Sequence, residues 1–319
     1  MALPPLSELI KSRDVEDPVN LWLHRPLAYG FVALTYRTAL TPNQVTLIAT
    51  LTGVAAGVCW LVGTPGLMLL GGALLWTSSI LDGADGILAR AKKLHTELGR
   101  ALDGIADVVV AAATVLPAFF HNWQKGHDPL ELALAPIAIG TTWLQVYSYD
   151  FYKESYLSWL NPAWDGTTPA LAGTRQRLAH AEAERAPWME RFVWQLYVGM
   201  LRGQIWLIGI TNPLGLRHTR RFTVNPETAR IYRKHNYGPL QIWTFVSLCP
   251  HSYLIAICGM FDRLDLYFWF RLLGANILFV VVLVWQRIAT IRTMRDLSAI
   301  GHSPVVVEDA NAHEVTLAH

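Results

Sequence analysis

The sequence contains little charge and few cysteines. Charged residues make up 16% of its 319 residues, whereas a typical soluble domain has about 25%. The three cysteines, Cys59, Cys249 and Cys258, lie inside apolar runs without metal-ligand spacing, which indicates packing residues. No block of basic residues is interleaved with aromatic ones, so we expect no nucleic-acid partner. The N-terminal stretch has no apolar run, and we expect no cleavable signal peptide.

Long apolar runs dominate the sequence instead. Hydrophobic residues make up 52% of it, and 13 residues are tryptophan, which is enriched at membrane interfaces. Apolar runs of about 18 or more residues disfavour the alternative of a large soluble α/β enzyme. We therefore predict an all-α integral membrane protein with six transmembrane helices. The predicted spans are residues 45–62, 68–81, 105–120, 130–147, 240–260 and 266–285.

The distribution of lysine and arginine predicts the orientation of these spans. Basic residues precede the first span and follow the sixth, and they are frequent after the second and fourth spans. The loops on the opposite side carry only Lys125 and Arg263. Because basic residues concentrate on the cytoplasmic side, we predict that both termini are cytoplasmic. In a bacterium, the protein would then be a multi-pass protein of the cytoplasmic membrane.

Residues 20–40 have the pattern of an amphipathic helix. Leu23, Leu27, Phe31 and Leu34 recur at spacings of three and four, and the pattern ends before Thr41-Pro42. We predict a helix that lies in the cytoplasmic membrane interface. An ordinary helix packed on the rest of the protein is the alternative.

The spans and their flanks predict a domain organisation. Residues 1–40 form an N-terminal segment with the interfacial helix, and residues 41–298 form the six-helix membrane domain. Within that domain, residues 149–237 are a long cytoplasmic or interfacial insertion between the fourth and fifth helices. Its apolar part, residues 192–210, contains glutamine and arginine and is not expected to be a seventh span. Residues 299–319 are expected to be a disordered tail.

Four aspartates occupy the junction between the second and third spans. Asp82 and Asp85 are three residues apart, and Asp103 and Asp107 are four apart, so each pair shares one face of a helix. A helix–turn–helix through residues 80–107 would bring the two faces together. Four close carboxylates need a counter-charge. Oxygen-only ligands suit Mg²⁺ or Mn²⁺, and two such ions suit phosphoryl transfer.

Other residues of the stretch fit a nucleotide phosphate. Gly86 and Gly99 allow close approach to the backbone, and Arg90 offers a forked donor for a phosphate oxygen. One alternative is that the aspartates only cap helices or pair with neighbouring basic residues. Two further alternatives are a transporter or channel lined by intramembrane carboxylates, and an inactive membrane scaffold. All four acids lie at one cytoplasmic end, which disfavours an ion path.

The stretch resembles the signature of the CDP-alcohol phosphotransferases at every defined position. The matching residues are Asp82-Gly-Ala-Asp85-Gly86-Ile-Leu-Ala89-Arg90, then Gly99, Asp103 and Asp107. The rest of the chain is similar more loosely, through the run Thr-Pro-Asn-Gln-Val-Thr that begins the first span. The resemblance is to prokaryotic members, and it implies six transmembrane helices around a polar cavity that faces the cytoplasm. It also implies a homodimer that transfers a phosphoalcohol from a CDP-alcohol to an acceptor hydroxyl, releasing CMP.

The resemblance also implies roles for individual residues. Asp82, Asp85, Asp103 and Asp107 would hold two divalent cations, Mg²⁺ or Mn²⁺, and Asp107 would also be the general base on the acceptor hydroxyl. The residues implied in CDP binding are Asn43, Asp82, Gly86, Ala89, Arg90, Thr96 and Gly99.

The substrates stay open at this point. One branch of the family uses CDP-diacylglycerol and a polar acceptor. Another uses a CDP-linked polar alcohol, such as CDP-choline, CDP-ethanolamine or CDP-inositol, with a lipid or polyol acceptor. We expect at least one substrate to be a lipid, in phospholipid biosynthesis. Five cations of the insertion are candidates for binding a phosphorylated acceptor, but contact with anionic lipid on the cytoplasmic side is the favoured interpretation. They are Lys153, Arg202, Arg217, Arg220 and Arg221.

Overall fold

The described part of the chain folds into helices. The computed structural model describes residues 3–94, 96–126, 129–161, 164, 166–218 and 224–300, and these residues include no strand. A 3-10 turn lies at Arg13–Val15, and π-helical turns lie at Asn20–His24 and Phe270–Ala275. The predicted all-α class is confirmed. The α-helices are α1 (Leu6–Leu9), α2 (Arg25–Thr35), α3 (Pro42–Val62), α4 (Pro65–Lys92), α5 (Glu97–Gln124), α6 (Pro129–Leu160), α7 (Thr167–Ala183), α8 (Trp188–Thr211), α9 (Pro213–His218), α10 (Pro226–Thr244), α11 (Leu248–Met260), α12 (Leu264–Trp269) and α13 (Asn276–Ala299).

Five helical stretches of the described chain are long and apolar enough to cross a membrane. Three of them contain the first three predicted spans, and the other two contain the fifth and sixth. The predicted fourth span falls in α6, which is 32 residues long but is not one of the five. A multi-pass membrane protein is therefore supported, whereas six spans remain a prediction. The five stretches are Pro42–Val62, Pro65–Lys92, Glu97–Gln124, Pro226–Met260 and Leu264–Ala299.

Local sequence signals set both ends of α3. The Thr41 hydroxyl accepts from the Gln44 amide, and the Gln44 side chain accepts from the Thr41 amide, which is a reciprocal capping box. Pro42 occupies the first turn, where its missing N–H costs no hydrogen bond. Gly63 ends the helix with a φ of 72°, in the left-handed region that glycine favours. The start of the first span is thereby fixed close to the aspartate stretch.

A short turn joins α4 to α5. Lys93 adopts a φ of 56° at the end of α4, and the Leu94 amide then donates to the Ala89 carbonyl at 2.9 Å. Three residues later, the Thr96 hydroxyl begins α5 by accepting from the Gly99 amide at 3.0 Å. The chain reverses within these few residues. Both helices then pack against α3, with carboxylates of α4 and α5 close to each other.

Trp60 anchors the packing of α3 against its neighbours. The side chain is fully buried, and its Nε1 donates to the Met68 carbonyl at 3.3 Å. The backbone of α4 at Gly71 and that of α11 at Gly259 pack directly against its indole ring. A Cβ at either glycine would come within 2.6 or 2.4 Å of ring atoms. Close helix approach over small residues is the usual packing of membrane helices.

The N-terminal segment packs on the membrane helices. Ala28 and Val32 of α2 are fully buried, and α2 contacts α4. Leu23, Leu27 and Leu34 point outward, with Leu34 83% exposed. The outward face carries three of the four apolar residues on which the interfacial helix was predicted, so it is available to lipid. The interfacial location itself remains a prediction.

The described residues of the predicted insertion 149–237 are largely helical. α6 continues past residue 149 to Leu160, and α10 begins at Pro226. Between them, α7 and α8 form a hairpin in which α8 packs on α5 and α6. Residues 301–319, which hold most of the predicted tail, lie outside the described residues, as do Arg220 and Arg221. The predicted domain boundaries therefore stay predictions.

The tight contact between α3 and α5 gives a stability prediction. A Cβ at Gly57 would lie 1.7 Å from the Ala113 carbonyl oxygen, so Gly57→Ala forces the two helices apart. We expect a loss of about 1–3 kcal/mol or more in the free energy of unfolding. Gly66→Ala is the matched control, because a Cβ there meets nothing within 4 Å. Thermal unfolding in detergent tests this prediction, and equal midpoints for the two variants would contradict it.

Candidate active site

Three of the four aspartates of the stretch meet between α4 and α5. Asp82 and Asp85 lie on α4, and Asp103 lies on α5. Each offers one carboxylate oxygen to a group in which all these atoms lie within 4.8 Å of one another. Asp85 is buried, with 6% of its surface exposed. Such a group of carboxylates repels itself unless a cation or protons compensate the charge.

Asp107 lies one turn further along α5 and is not part of that group of three. It lines the same cavity as Asp82. It is also close enough to Asp82, Asp103 and Asp150 to interact electrostatically with each of them. Asp82 and Asp107 therefore line the cavity itself, and Asp85 and Asp103 lie next to Asp82.

Thr46 of α3 holds the buried carboxylate. Its hydroxyl donates a short hydrogen bond to Asp85 Oδ2. We did not predict this residue from the sequence. Thr46 is the last residue of the Thr-Pro-Asn-Gln-Val-Thr run that begins the first span. Residues of this kind orient the carboxylates of metal sites and are part of their design.

Asn43, Thr96 and Gly99 lie together beside the aspartates. A Cβ at Gly99 would be 3.1 Å from the Thr96 hydroxyl and 3.4 Å from Asn43 Oδ1. Asn43 belongs to the first turn of α3, whereas Thr96 and Gly99 begin α5. The family resemblance implies all three residues in CDP binding. They form one small polar surface, although Asn43 is far from Thr96 and Gly99 in the sequence.

Gly86, Ala89 and Arg90 occupy the end of α4. A Cβ at Gly86 would lie 3.4 Å from Arg90 Nη2, so the glycine leaves room for the guanidinium. Arg90 Nε donates to the Leu9 carbonyl of α1. Ala89 is half-buried, and its carbonyl accepts from the turn that ends α4. This face of α4 therefore presents an arginine beside a bare stretch of backbone.

Arg25 connects the N-terminal segment to the aspartates. We did not predict it as a site residue from the sequence. Its Nε donates to Glu16 Oε2 at 2.7 Å, and its Nη1 donates to the Gly83 carbonyl at 3.2 Å. Arg25 and Asp82 line the same cavity. Because the guanidinium is already held by Glu16, it adds a fixed positive charge next to the carboxylates.

The aspartates lie at one end of a cavity of about 500 Å³. Lys11 and Lys153 line that polar end as well. Burial lowers the pKa of the Lys11 ammonium from its ordinary value, so a bound anion would favour its charged form. The cavity continues between α5, α6 and α11 over largely apolar side chains. Those of the apolar part include Val115, Leu116, Ile139, Trp143, Val146 and Leu248.

The donor set fits hard divalent cations. The group of three consists of carboxylates alone, without histidine or cysteine. Mg²⁺ and Mn²⁺ prefer oxygen ligands of this kind, whereas zinc sites usually include nitrogen or sulfur. The aspartates would hold such ions, which supply positive charge to a bound diphosphate.

Comparison with known proteins agrees with this geometry. The profile of the family described as CDP-alcohol phosphatidyltransferase matches residues 39–151, which contain all four aspartates. A protein of Thermococcus kodakarensis named bifunctional IPC transferase and DIPP synthase is 44% identical over 68 residues, covering 21% of this chain and 15% of that protein. One of the same name from Aquifex aeolicus is 33% identical over 116 residues, covering 36% and 26%. The chain thus aligns with only a small part of these relatives.

The contact between Thr46 and Asp85 gives a metal-binding prediction. Thr46→Val keeps the shape of the side chain but leaves Asp85 without its hydrogen bond, so the carboxylate is less well oriented. We expect the Mn²⁺ affinity to fall by about 10- to 100-fold, as measured by equilibrium titration. Thr52→Val is the control, since the Thr52 hydroxyl donates only to the Ile48 carbonyl of its own helix. Equal affinities for the two variants would contradict the role of Thr46.

Proposed function

Because residues 39–151 match the profile of the CDP-alcohol phosphatidyltransferase family, we propose that the protein transfers a phosphoalcohol from a CDP-alcohol to an acceptor hydroxyl and releases CMP. The observation that carries the proposal is the group of three carboxylates within 4.8 Å at the polar end of the cavity. Carboxylate-held divalent ions are a common device for phosphoryl transfer. Most of the residues that line the cavity belong to the matched segment.

The four aspartates have distinct parts in this proposal. Asp82, Asp85 and Asp103 are the core of a site for two divalent cations, which Asp107 completes from the side of the cavity. Bound ions would neutralise the charge of the diphosphate and polarise the phosphorus. Asp107 faces the cavity and also accepts the proton of the acceptor hydroxyl, since a general base must reach the reacting hydroxyl.

The nucleotide is held at the opening between α3, α4 and α5. Asn43, Thr96 and Gly99 form the polar surface described above, and a small residue at 99 leaves space for the nucleotide. Gly86 and Ala89 allow the backbone of α4 to approach it, and Arg90 supplies a forked donor to a phosphate oxygen. These assignments rest on the family match, on the contacts of Gly99 with Thr96 and Asn43, and on that of Gly86 with Arg90.

The shape of the cavity supports a lipid as one of the two substrates. Its polar end suits a diphosphate and a hydroxyl, while its apolar part suits hydrocarbon. Either CDP-diacylglycerol reacts with a polar alcohol, or a CDP-linked polar alcohol reacts with a lipid hydroxyl. Both reactions place a lipid in the same cavity and belong to phospholipid biosynthesis.

The membrane arrangement is part of the same proposal. α6 supplies the sixth span beside the five apolar stretches, and the basic ends of the helices lie on the cytoplasmic side. The carboxylates then face the cytoplasm, from which a CDP-alcohol reaches them. Two copies of the chain form a homodimer, as the family resemblance implies.

An assay of CMP release tests the proposed reaction. The purified protein is supplied with Mg²⁺ or Mn²⁺ and, in parallel, with CDP-diacylglycerol, CDP-choline, CDP-ethanolamine or CDP-inositol plus membrane extract. We expect CMP from one donor, and none after metal chelation. Asp82→Asn, Asp85→Asn and Asp103→Asn each reduce turnover by more than about a hundredfold, because they remove a ligand of the proposed metal site.

Two comparisons sharpen this assay. Asp262→Asn is the matched control, because Asp262 pairs with His121 and Lys125 away from the cavity; its turnover stays near wild type. Asp107→Asn loses turnover through its role as base, and near-normal turnover with intact Mn²⁺ binding would remove that role. Absence of CMP from every donor, or full activity without divalent ions, would overturn the proposed function.

A further inference from the structure

A buried arginine lies beside the deep end of the cavity. Arg271 is only 2% exposed, within the stretch Leu264–Ala299 that is long and apolar enough to cross a membrane. Its Nε donates to the Thr142 hydroxyl at 3.0 Å, and its guanidinium also donates to Gln145 Oε1. Both partners are neutral, and no carboxylate of the described residues pairs with it. An uncompensated charge at this depth is costly and generally marks a functional site.

Two polar side chains next to Arg271 reach the cavity itself. His251 and Tyr267 line it, together with Thr142. The Tyr267 hydroxyl and His251 Nδ1 are 2.6 Å apart and share a hydrogen bond, and both side chains are almost fully buried. They interrupt an otherwise largely apolar wall. The deep end of the cavity is therefore a polar floor of Thr142, His251 and Tyr267, with Arg271 behind it.

Hydrogen-bond accounting shows what this floor offers to a ligand. A neutral His251 and Tyr267 have two donor hydrogens between them, and their mutual bond uses one. Either the Tyr267 O–H or a His251 N–H is therefore left over, whichever tautomer is present. The Thr142 hydroxyl is already engaged, because it donates to the Ala138 carbonyl at 2.7 Å and accepts from Arg271. The floor thus presents one donor in the positive field of a guanidinium, which suits an acceptor oxygen.

The position of the floor relative to the carboxylates limits which oxygen that is. Asp150 and Thr142 line the cavity on α6, eight residues apart, which corresponds to about 12 Å of helix. The part of an extended glycerolipid from its phosphorus through the glycerol to an acyl ester, together with the length of the protein side chains, spans this distance. Apolar side chains, such as Leu116 and Ile139, surround the floor. The group bound there is therefore attached to hydrocarbon.

We propose that Thr142, His251 and Tyr267, backed by Arg271, form a subsite for an acyl-ester carbonyl of the lipid substrate. This inference rests on the proposed function, and it extends that function by assigning the recognition of an ester-linked glycerolipid to residues outside the matched segment, apart from Thr142. An ether-linked lipid of the same length lacks the carbonyl oxygen. It leaves the donor hydrogen of the floor without a partner.

The test compares ester-linked with ether-linked lipids. CDP-diacylglycerol and its dialkyl ether analogue are supplied to the purified protein, or diacylglycerol and dialkylglycerol if the lipid is the acceptor. We expect kcat/KM for CMP release to favour the ester by about tenfold, the worth of one buried hydrogen bond. The double variant Tyr267→Phe/His251→Leu removes every donor of the pair, and its ratio falls to near one. The preference is a ratio within one variant, so a general loss of activity does not affect it.

Tyr253→Phe is the matched control, since Tyr253 lies on the same helix as His251 and packs against His24 and Trp76 outside the cavity lining. It keeps the tenfold preference. Equal use of ester and ether lipid by the wild type, or an unchanged preference in the double variant, would overturn the inference.

Further outcomes separate this inference from the proposed function. CMP release with a polar donor and a polar acceptor alone, with no lipid used, would overturn the subsite while the reaction stands. If no donor releases CMP, the proposed function fails, and displacement of a fluorescent glycerolipid then tests the subsite alone. Tighter binding of the ester than of the ether lipid, lost in the double variant, supports it. Equal binding of the two lipids contradicts it.

Discussion

Repulsion between the carboxylates of Asp82, Asp85 and Asp103 is the constraint on which the rest of the site depends. Three such groups with oxygens within 4.8 Å do not stay ionised without compensating positive charge. The packing of both α4 and α5 on α3 brings these carboxylates together, and the hydrogen bond from Thr46 fixes one of them. Arg25 adds positive charge nearby, but it is already shared with Glu16. Divalent cations are therefore the natural counter-charge, and the proposed chemistry follows from them.

Periodicity and apolar runs were enough to predict the elements that carry the site. The spacing of Asp82 and Asp85, and of Asp103 and Asp107, predicts two helical faces, and both pairs lie on helices. Thr41-Pro42 predicts the start of α3, because capping and the geometry of proline are local effects. The third and fifth helical stretches extend well beyond the predicted spans, since hydropathy detects only the part that suits lipid.

Contacts between distant residues could not be predicted in the same way. The hydrogen bond between Thr46 and Asp85 joins two helices, and nothing in either local sequence indicates that the residues meet. The same holds for the pair of His251 and Tyr267 at the cavity floor. Arg271 did provide a signal, because it is a charged residue inside a predicted span. Its partners became apparent only from the packing of α6 against the π-helical turn.

The central claim is that the aspartate group binds two divalent ions at the mouth of a lipid-sized cavity. Counting Mn²⁺ ions per chain by electron paramagnetic resonance, with the purified protein and a CDP-alcohol present, tests it most directly. We expect two bound ions that are magnetically coupled, and loss of the coupled signal in Asp103→Asn. No bound Mn²⁺, or the same two ions in Asp103→Asn, would contradict it.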